Sequence, residues 1–506
     1  MAGVDLEEAR VIAVDLGASG GKIFAARLTA ESISLEEIHR FSHEGVPLYV
    51  ADRAGMAKER LFWDDLAMYS HILAGIRAYR RDFGERVDSI GITTWGSDGL
   101  LVDAEGTPRE RMYCYRDHRL DGMVEEVKAR IDAKRIYEIT GIHFQPFNIS
   151  NQLLWFRQNR AALLGKGARF LPLPTVFLYY LGGVTRVDST WASVTQLMDA
   201  RRKKWSREIL RALGIPPGIM PPIVAPGTVV GELGKDLAAS LGVSRARLVA
   251  VGSHDTASAY AAAPVVKPSG ALIISSGTWS LIGMLVRRPV TTPEAMRLNI
   301  SNEGGFGNVR LLKNCMGAWL AQSLRRTWRD RDGREMDWAE LGSIAERAKP
   351  FTAFIDPDDR SFYNPPDMEG AIVEYCRKTG QDPPTDRGAI LRAVLESLAL
   401  NYRMVAGEIG EASGTPARIV HIVGGGSRND ALNQMTADAC GLKVVAGPEE
   451  ATAVGNAAVQ GMALGIYKHL SHARRIIRAS FPIREFRPKD TESWDRAYAR
   501  FRAVVR

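Results

Sequence analysis

Two strand–glycine–strand segments constrain the fold of this chain more than any other feature of its sequence. Residues 10–29, RVIAVDLGASGGKIFAARLT, contain an apolar run, a glycine-rich break and a second apolar run. Residues 270–286, GALIISSGTWSLIGMLV, repeat this design in the second half of the chain. Apolar runs of this length around a Gly/Ser break are typical of β-hairpins. Two hairpins, each opening one half of the chain, predict a duplicated architecture with a ligand held between the halves.

The hairpins also exclude two common nucleotide-binding motifs. A dinucleotide-binding fold or a P-loop needs a strand, a glycine loop and then a helix whose N-terminus meets the phosphate. The residues after the first glycine loop, KIFAARLT, instead predict a returning strand, and the chain contains no GxxxxGKS or GxxxxGKT. A tight Gly/Ser turn can still present backbone N–H groups to an anion, so the first hairpin is a candidate phosphate site.

A third glycine cluster follows a different pattern. In ARIVHIVGGGSRNDALNQMTADACG, a strand leads through Gly424, Gly425 and Gly426 into a predicted helix that ends at Gly441. The helix carries apolar residues at helical spacing, Leu432, Met435 and Ala439. Asn429 stands where the last glycine of GxGxxG would be. Two interpretations remain open: a backbone that approaches a flat ligand such as a nucleotide base or sugar, or a tight strand-to-helix turn.

Length and composition indicate a globular protein of two or more domains. At 506 residues the chain exceeds one ordinary core. The net charge of +8 comes from scattered basic residues with no nucleic-acid recognition motif, so an enzyme acting on anionic substrates explains it equally well. No run of about 18 apolar residues predicts a membrane span, and the four cysteines form no CxxC pair. We expect a soluble cytoplasmic protein that binds neither nucleic acid nor membrane.

One carboxylate attracts attention because of its neighbours. In VGSHDTASAY, residues 251–260, Asp255 follows a predicted buried strand and lies among small residues with no lysine or arginine in the stretch. One interpretation is a turn in which Asp or Ser caps the following helix. The other is a general base, since an acid without a salt-bridge partner is free to accept a proton.

Nine motifs, all in the right order, resemble those of the FGGY family of carbohydrate kinases over nearly the whole chain. They are AVDLGASGGK at 13–22, DSIGITTWGSD at 88–98, YRDHR at 115–119, GIHFQPFN at 141–148, SHDTASA at 253–259, SSGTWSL at 275–281, NEGG at 302–305, KNCMGAW at 313–319 and HIVGGGSRN at 421–429. The resemblance implies an α/β protein of two ribonuclease-H-like domains, of the actin/Hsp70/hexokinase type, with a central cleft. It divides the chain into a sugar-binding domain, residues 1–262, and an ATP-binding domain, residues 263–506.

The resemblance further implies a reaction and a set of sugar-binding residues. ATP, with Mg²⁺, would phosphorylate the 1-hydroxyl of a ketose, L-rhamnulose, after domain closure has excluded water. Asp255 matches the catalytic base of the family. Its neighbours His254 and Thr256 match residues that bind the sugar, as do Gly96 and Asn314. For Asn314 a turn-stabilising role remains the alternative.

The ATP-binding residues implied by the resemblance come from both hairpins and the glycine cluster. They are Ala18, Ser19, Gly20, Gly21 and Lys22 in the first hairpin, Thr278 in the second, Gln322 on the helix after KNCMGAW, and Gly425. Lys22 either offsets the triphosphate charge or is an exposed hairpin lysine. Asp15 is the candidate for holding Mg²⁺ through water, since this cation usually keeps several waters; a structural acid that accepts backbone N–H bonds is the alternative.

Three positions bear on the choice of sugar. Thr93 stands before Gly96 where the family usually has an acid, Asp98 is retained and is expected to take part of that role, and Thr175 replaces a second usual acid. These departures leave open a kinase for another ketose such as L-fuculose. A non-catalytic sugar sensor with the actin fold is the alternative from a different class, and Asp255 argues against it, because a pure binder needs no unpaired acid.

Overall fold

The computed structural model describes residues 7–51 and 55–505 as a mixture of strands and helices. The strands are β1 (Glu8–Gly17), β2 (Gly20–Thr29), β3 (Ile33–Ser42), β4 (Val46–Ala51), β5 (Ala57–Phe62), β6 (Ser89–Thr94), β7 (Gly99–Val102), β8 (Arg169–Pro172), β9 (Val187–Asp188), β10 (Met198–Asp199), β11 (Lys204–Trp205), β12 (Ile223–Val224), β13 (Thr228–Glu232), β14 (Arg247–Ala250), β15 (Ala271–Ser276), β16 (Trp279–Val286), β17 (Ser301–Gly304), β18 (Val309–Met316), β19 (Ile419–Val423), β20 (Val444–Ala446) and β21 (Arg484–Phe486).

The α-helices are interspersed among these strands along the described chain. They are α1 (Asp65–Phe83), α2 (Met123–Arg130), α3 (Ala133–Thr140), α4 (Ile149–Asn159), α5 (Leu173–Gly182), α6 (Ser189–Ser193), α7 (Arg207–Ala212), α8 (Lys235–Leu241), α9 (Asp255–Ala262), α10 (Pro293–Arg297), α11 (Trp319–Asp332), α12 (Trp338–Arg347), α13 (Met368–Lys378), α14 (Arg387–Ser413), α15 (Asp430–Cys440), α16 (Ala451–Ala463), α17 (Leu470–Ser480) and α18 (Thr491–Val504). Within the described ranges, no helix is both long enough and apolar enough to span a membrane.

The chain forms two compact units that interleave along the sequence. Unit 1 consists of Met1–Ala262, Val286–Leu311 and Ala451–Ser480. Unit 2 consists of Ala263–Leu285, Leu312–Glu450 and Phe481–Arg506. The division predicted from the sequence, residues 1–262 and 263–506, uses a single boundary and assigns the two halves to sugar and ATP; as a division by function it stays a prediction.

The main sheet of unit 1 is built around the first predicted hairpin. Its strand order is β13-β14-β6-β1-β2-β3. β1 and β2 pair antiparallel, β6 runs parallel to β1, and β14 runs parallel to β6. Residues 11–14 of β1 are completely buried, as expected for a central strand covered on both faces. The prediction of a strand–turn–strand segment over residues 10–29 is confirmed.

Helix α16 covers one face of this sheet and bonds to its backbone. Asn456 Nδ2 donates to the carbonyl oxygens of Val14 and Gly91 at 3.3 and 3.1 Å, and Gln460 Nε2 donates to that of Ile12 at 3.0 Å. A Cβ at Gly91 would come within 2.5 Å of Asn456 Oδ1, so glycine is required for this approach. Both amide side chains are completely buried, and their hydrogen bonds remove the cost of burying them.

Unit 2 repeats the strand order of unit 1. Its strands lie in the order β18-β16-β15-β19-β20-β21. The predicted second hairpin is the antiparallel pair β15–β16; β19 runs parallel to β15 and β20 parallel to β19. In both sheets the last of these strands pairs antiparallel with its neighbour: β13 with β14 in unit 1, and β21 with β20 in unit 2. The predicted duplication is therefore present at the level of whole sheets, and the α/β fold class is confirmed.

Candidate active site

Asp255 lies at the carboxyl-terminal edge of the unit 1 sheet. β14 ends at Ala250, and the next four residues lead directly into α9, which begins at Asp255. At the end of the neighbouring parallel strand β6, the amide of Thr94 donates to the carbonyl of Ser253 at 2.8 Å. The loops that follow the two strands are therefore held together at one edge. In open α/β sheets this is the edge where ligands bind.

The two carboxylate oxygens of Asp255 have different surroundings. Oδ1 accepts hydrogen bonds from the amide and the hydroxyl of Thr256, at 2.5 and 3.0 Å, and lies 3.4 Å from His254 Nε2. No hydrogen bond from the described residues reaches Oδ2, and the side chain is 31% exposed. Among the described residues no lysine or arginine pairs with Asp255, as expected, but His254 lies beside Oδ1; Oδ2 stays available to a ligand.

His254 is itself held by a buried ion pair. Its Nδ1 lies 3.2 Å from Arg310 Nη2 and 3.3 Å from Glu303 Oε2, and Arg310 Nη1 lies 3.0 Å from the same oxygen. Burial raises the pKa of Glu303, but Arg310 and the imidazoles of His254 and His143 outweigh it and hold this pKa at about 2. The NEGG motif contains Glu303 but does not indicate a role for it, and none of the nine motifs contains Arg310. Nothing local marks either residue, since both reach the site through β17 and β18.

Gly96 makes room for this imidazole. A Cβ at residue 96 would lie 2.8 Å from His254 Nε2 and 3.1 Å from Val194 Cγ2. Both distances are shorter than ordinary contacts, so a side chain here would displace the imidazole. The structure thus brings four of the predicted sugar-binding residues together in unit 1, namely Gly96, His254, Asp255 and Thr256.

Asp98 organises aromatic side chains beside Gly96. It is completely buried and adopts a positive φ of 73°. Its Oδ2 accepts from the indole N–H groups of Trp63 and Trp95 at 2.7 and 3.0 Å, and its Oδ1 accepts from the Gln152 amide at 3.1 Å. Burial raises the pKa of Asp98, against the effect of these donors. The expected contact of Asp98 with the sugar stays a prediction; the structure gives Asp98 a structural role, because protein donors bond to both of its oxygens.

The two threonine departures are both buried and hydrogen-bonded within the protein. Thr93 is completely buried on β6, where its hydroxyl donates to the Val14 carbonyl at 3.0 Å and to Asp15 Oδ1 at 3.2 Å. Thr175 is buried in α5, and its hydroxyl donates to the Arg186 carbonyl at 3.0 Å. Thr93 therefore acts on Asp15 at the first hairpin, and Thr175 stabilises the chain after α5.

The predicted phosphate hairpin turns at Ala18 and Ser19. Gly17 and Gly20 face each other at the ends of β1 and β2, and Ser19 is exposed at the turn. A Cβ at Gly20 would come within 2.6 Å of the Phe41 carbonyl oxygen, so β3 requires this glycine. His43 fixes the turn from the side, since its amide donates to Ser19 O at 3.3 Å.

Asp15 and Lys22 lie directly opposite each other on this hairpin. They are paired positions of β1 and β2, so their side chains share one face of the sheet. Asp15 accepts a hydrogen bond from Thr93 and is half-buried. Within the described ranges, no group of three or more His, Cys, Asp or Glu side chains could hold a metal ion. A single carboxylate is compatible with Mg²⁺, which usually binds through one or two carboxylates, waters and substrate phosphates.

Three of the predicted ATP-binding elements meet in unit 2. The tip of the β15–β16 hairpin is exposed at Thr278, whose carbonyl accepts from the amides of Gly317 and Trp319 at the start of α11. Gln322 lies on the first turns of α11. Gly425 begins the short 3-10 helix between β19 and α15, and a Cβ there would meet nothing within 4 Å. Gly426, in contrast, packs against the second hairpin, since its Cβ would strike Ser276 Oγ.

Asn314, the remaining predicted sugar-binding residue, lies on β18 in unit 2. Its Oδ1 is buried and has no hydrogen-bond partner among the described residues. Burial of an unsatisfied amide oxygen costs free energy, so such an atom points to a ligand or a water that satisfies it. The alternative of a turn-stabilising side chain does not fit a residue in the middle of a strand.

Both parts of the chain match a known protein family. Residues 11–261 match the N-terminal domain and residues 272–464 the C-terminal domain of the FGGY family of carbohydrate kinases. A rhamnulokinase of Bacteroides thetaiotaomicron is 40% identical over 497 residues, 98% of this chain and 99% of that protein. Rhamnulokinases of Pectobacterium carotovorum and Bacillus subtilis are 39% and 35% identical; the alignments cover 98% and 95% of this chain and 96% of each relative.

Solved structures show the same fold at low sequence identity. A xylulose kinase and a gluconate kinase of Lactobacillus acidophilus, each 15% identical, superpose with TM-scores of 0.80 and 0.79 over 98% of this chain and 97% of theirs. A Plasmodium falciparum glycerol kinase with ADP, 18% identical, gives 0.76 with the same coverage. The predicted two-domain fold of the actin and hexokinase type is confirmed by these neighbours.

Proposed function

The chain belongs to the FGGY family of carbohydrate kinases, and from this premise we propose that it transfers the γ-phosphoryl group of ATP to the 1-hydroxyl of L-rhamnulose. The product is L-rhamnulose 1-phosphate, an intermediate of L-rhamnose breakdown. Near-full-length similarity to rhamnulokinases at 35–40% identity supports this choice of sugar.

One observation carries the assignment of the base: donors from the described residues occupy only one oxygen of Asp255. The Thr256 amide and hydroxyl and the His254 imidazole all lie at Oδ1. These contacts fix the plane of the carboxylate and leave Oδ2 open to a hydroxyl from the ligand. A non-catalytic sugar sensor would gain nothing from such an arrangement, since a neutral acceptor binds a hydroxyl without the cost of burying charge.

The reaction needs a base and close alignment. Asp255 Oδ2 accepts the proton of the 1-hydroxyl while the bond from that oxygen to the γ-phosphorus forms. The bond between the γ-phosphorus and the bridging oxygen breaks, and ADP leaves with its electron pair. Positioning and electrostatic stabilisation supply most of the acceleration in phosphoryl transfer. Mg²⁺, when bound with ATP, would neutralise phosphate charge, and Asp15 is the residue we assign to it, through water.

The remaining assignments divide by ligand. For the sugar we assign Gly96, His254, Thr256 and Asn314; the orphan amide oxygen of Asn314 supports its role. For ATP we assign residues 18–22 of the first hairpin, together with Thr278, Gln322 and Gly425. The exposed turns at Ser19 and Thr278, the exposed Gly425 and the place of Gln322 near the start of α11 support these roles, because such elements offer backbone N–H groups to phosphates.

We place the reaction in the cytoplasm, where ATP is available. The four cysteines are free thiols, three of them buried. Free cysteines are typical of proteins in reducing compartments, which supports this location.

The proposal is tested by ADP release from ATP–Mg²⁺ with L-rhamnulose, L-fuculose, L-xylulose, L-ribulose and glycerol. We expect the highest kcat/KM for L-rhamnulose and a large loss in Asp255→Asn. Asp236→Asn is the matched control, because Asp236 is an exposed acid in the first turn of another unit 1 helix, α8. A higher kcat/KM for another ketose would refute L-rhamnulose as the substrate and leave the proposed mechanism unchanged. Turnover unchanged in Asp255→Asn would refute the base, and no turnover with any sugar would favour the sensor.

A further inference from the structure

The ion pair behind His254 takes no direct part in the proposed phosphoryl transfer. Glu303 and Arg310 are 3% and 1% exposed and come from β17 and β18. We propose that Arg310 and Glu303 are positioning residues that hold the proton of the His254 imidazole on Nε2, so that this N–H faces Asp255 Oδ1, 3.4 Å away. The proposal rests on the proposed function, because it makes the ion pair act on the catalytic base through His254.

The hydrogen bond at Nδ1 determines which ring nitrogen carries the proton. Arg310 Nη2 lies 3.2 Å from His254 Nδ1 with hydrogen-bond geometry. A guanidinium only donates and does not lose its proton in proteins. Nδ1 must therefore accept, and the proton of the neutral ring is on Nε2, which lies 3.4 Å from Asp255 Oδ1.

Glu303 pairs with the Arg310 guanidinium rather than with the His254 imidazole. Its Oε2 lies 3.3 Å from Nδ1, but no donor among the described residues reaches it with hydrogen-bond geometry. The same oxygen lies 3.0 Å from Arg310 Nη1. The carboxylate therefore neutralises the buried guanidinium, so that the imidazole meets a neutral pair and a directed N–H donor. Without Glu303, the Arg310 guanidinium beside the His254 imidazole would lack this neutralising carboxylate.

The pair is anchored independently of His254. Arg310 Nε donates to the Gly304 carbonyl at 2.8 Å, and the Gly304 amide donates to Ser193 Oγ on α6 at 2.7 Å. A Cβ at Gly304 would come within 2.5 Å of the Ser189 carbonyl, so β17 lies directly against α6. These contacts fix the guanidinium before any ligand binds. The imidazole is thus preorganised by the protein and not by the sugar.

The opposite tautomer would disturb the base. With the proton on Nδ1, the Arg310 N–H would face another N–H, and the Nε2 lone pair would face those of Asp255 Oδ1. That oxygen would then keep only the two donors of Thr256. The carboxylate would turn, and Oδ2 would lose its alignment with the hydroxyl it deprotonates.

The tautomer is tested directly by NMR of the ligand-free protein labelled with ¹⁵N-histidine. The signals of His254 are identified among those of nine histidines by their loss in His254→Gln. We expect an unprotonated Nδ1 and a protonated Nε2 in the wild type. A proton on Nδ1, or on both nitrogens, would overturn the proposal. This result does not depend on which sugar is phosphorylated, so it separates failure of the inference from failure of the proposed function.

Kinetics test whether the tautomer matters. In Arg310→Met we expect kcat to fall by about tenfold to hundredfold, as for other misaligned catalytic groups, while KM for ATP is unchanged and the His254 proton leaves its wild-type position. Arg310→Lys retains the charge and a donor, so it should recover part of kcat. The matched control is Arg474→Met, which removes another buried arginine of unit 1 that donates to the carbonyls of Tyr260 and Ala261.

The outcomes separate positioning from stability. If Arg310→Met and Arg474→Met lose similar stability and similar kcat, the ion pair is merely structural and the proposal fails. Loss of kcat in Arg310→Met alone, with partial recovery in Arg310→Lys, supports it. If Arg310→Met does not fold, the kcat of Arg310→Lys and the ¹⁵N spectrum of the wild type still test the proposal. A proton on Nδ1 of His254 in the wild type overturns the inference by itself.

Discussion

Replacement of Gly96 by alanine should damage catalysis through a contact that can be measured in advance. The added Cβ would lie 2.8 Å from His254 Nε2, and ordinary contacts begin at 3.4 Å, so the imidazole must retreat by about 0.6 Å. Nε2 is also the atom 3.4 Å from Asp255 Oδ1, so the shift is passed to the base. A misplacement of about 1 Å can cost about a hundredfold in rate. We expect kcat/KM for the ketose to fall by about tenfold to hundredfold, or about 1.4–2.7 kcal/mol.

The assay is ADP release at varied ketose and at varied ATP. KM for ATP should stay at the wild-type value, since the atoms nearest a Cβ at Gly96 belong to His254 and Val194 and to none of the residues assigned to ATP. Gly218→Ala is the matched control, because a Cβ at Gly218, also in unit 1, meets nothing within 4 Å. Wild-type kcat/KM in a folded Gly96→Ala protein would refute the reasoning, since the imidazole would then tolerate displacement.

Three further predictions follow from the same geometry. Gly426→Ala should raise KM for ATP and leave KM for the ketose unchanged, because the new Cβ would displace Ser276 of the second hairpin; equal effects on both constants would contradict this. Asp98→Asn should lower the free energy of unfolding in urea by about 1–3 kcal/mol, because an amide group would oppose donors that now bond to the carboxylate; an unchanged value would contradict the structural role. The pKa of Glu303 is depressed from 4.5 to about 2, so its contribution to stability is present above pH 4.5 and is lost as the pH falls towards 2. Urea unfolding of the wild type should show this loss, and Glu303→Gln should lack it.

The hairpins and the strand-to-helix turn could be predicted from sequence because their signals are local. Apolar runs around Gly17–Gly20 and around Gly277 fix strands whose pairing partner is the next strand in the chain. The helix after Gly426 was predicted to end at Gly441, which adopts the left-handed conformation at that end. Local steric and hydrogen-bonding preferences decide such elements, so a single sequence contains them.

The direction in which a polar side chain points could not be predicted in the same way. Asp98 and Thr93 both stand close to Gly96 in sequence, yet Asp98 turns to two indoles and Thr93 to Asp15. A positive φ at Asp98 sets its direction, and spacing gives no sign of it. Arg310 reaches His254 across 56 positions of the chain. Contacts of this range depend on the assembled sheet and leave no periodic pattern.

The interleaved course of the chain has a consequence for its synthesis. Helix α16, which covers β1 and bonds to the Ile12 carbonyl through Gln460, starts at residue 451. A ribosome must therefore complete about nine-tenths of the polypeptide before the first strand obtains its cover. Until then the face of β1 that carries Ala13, which packs with Ala453 of α16, lacks this partner. Synthesis of unit 1, which carries Asp255, therefore starts first but ends late in translation. For most of that time the nascent chain depends on protection from aggregation.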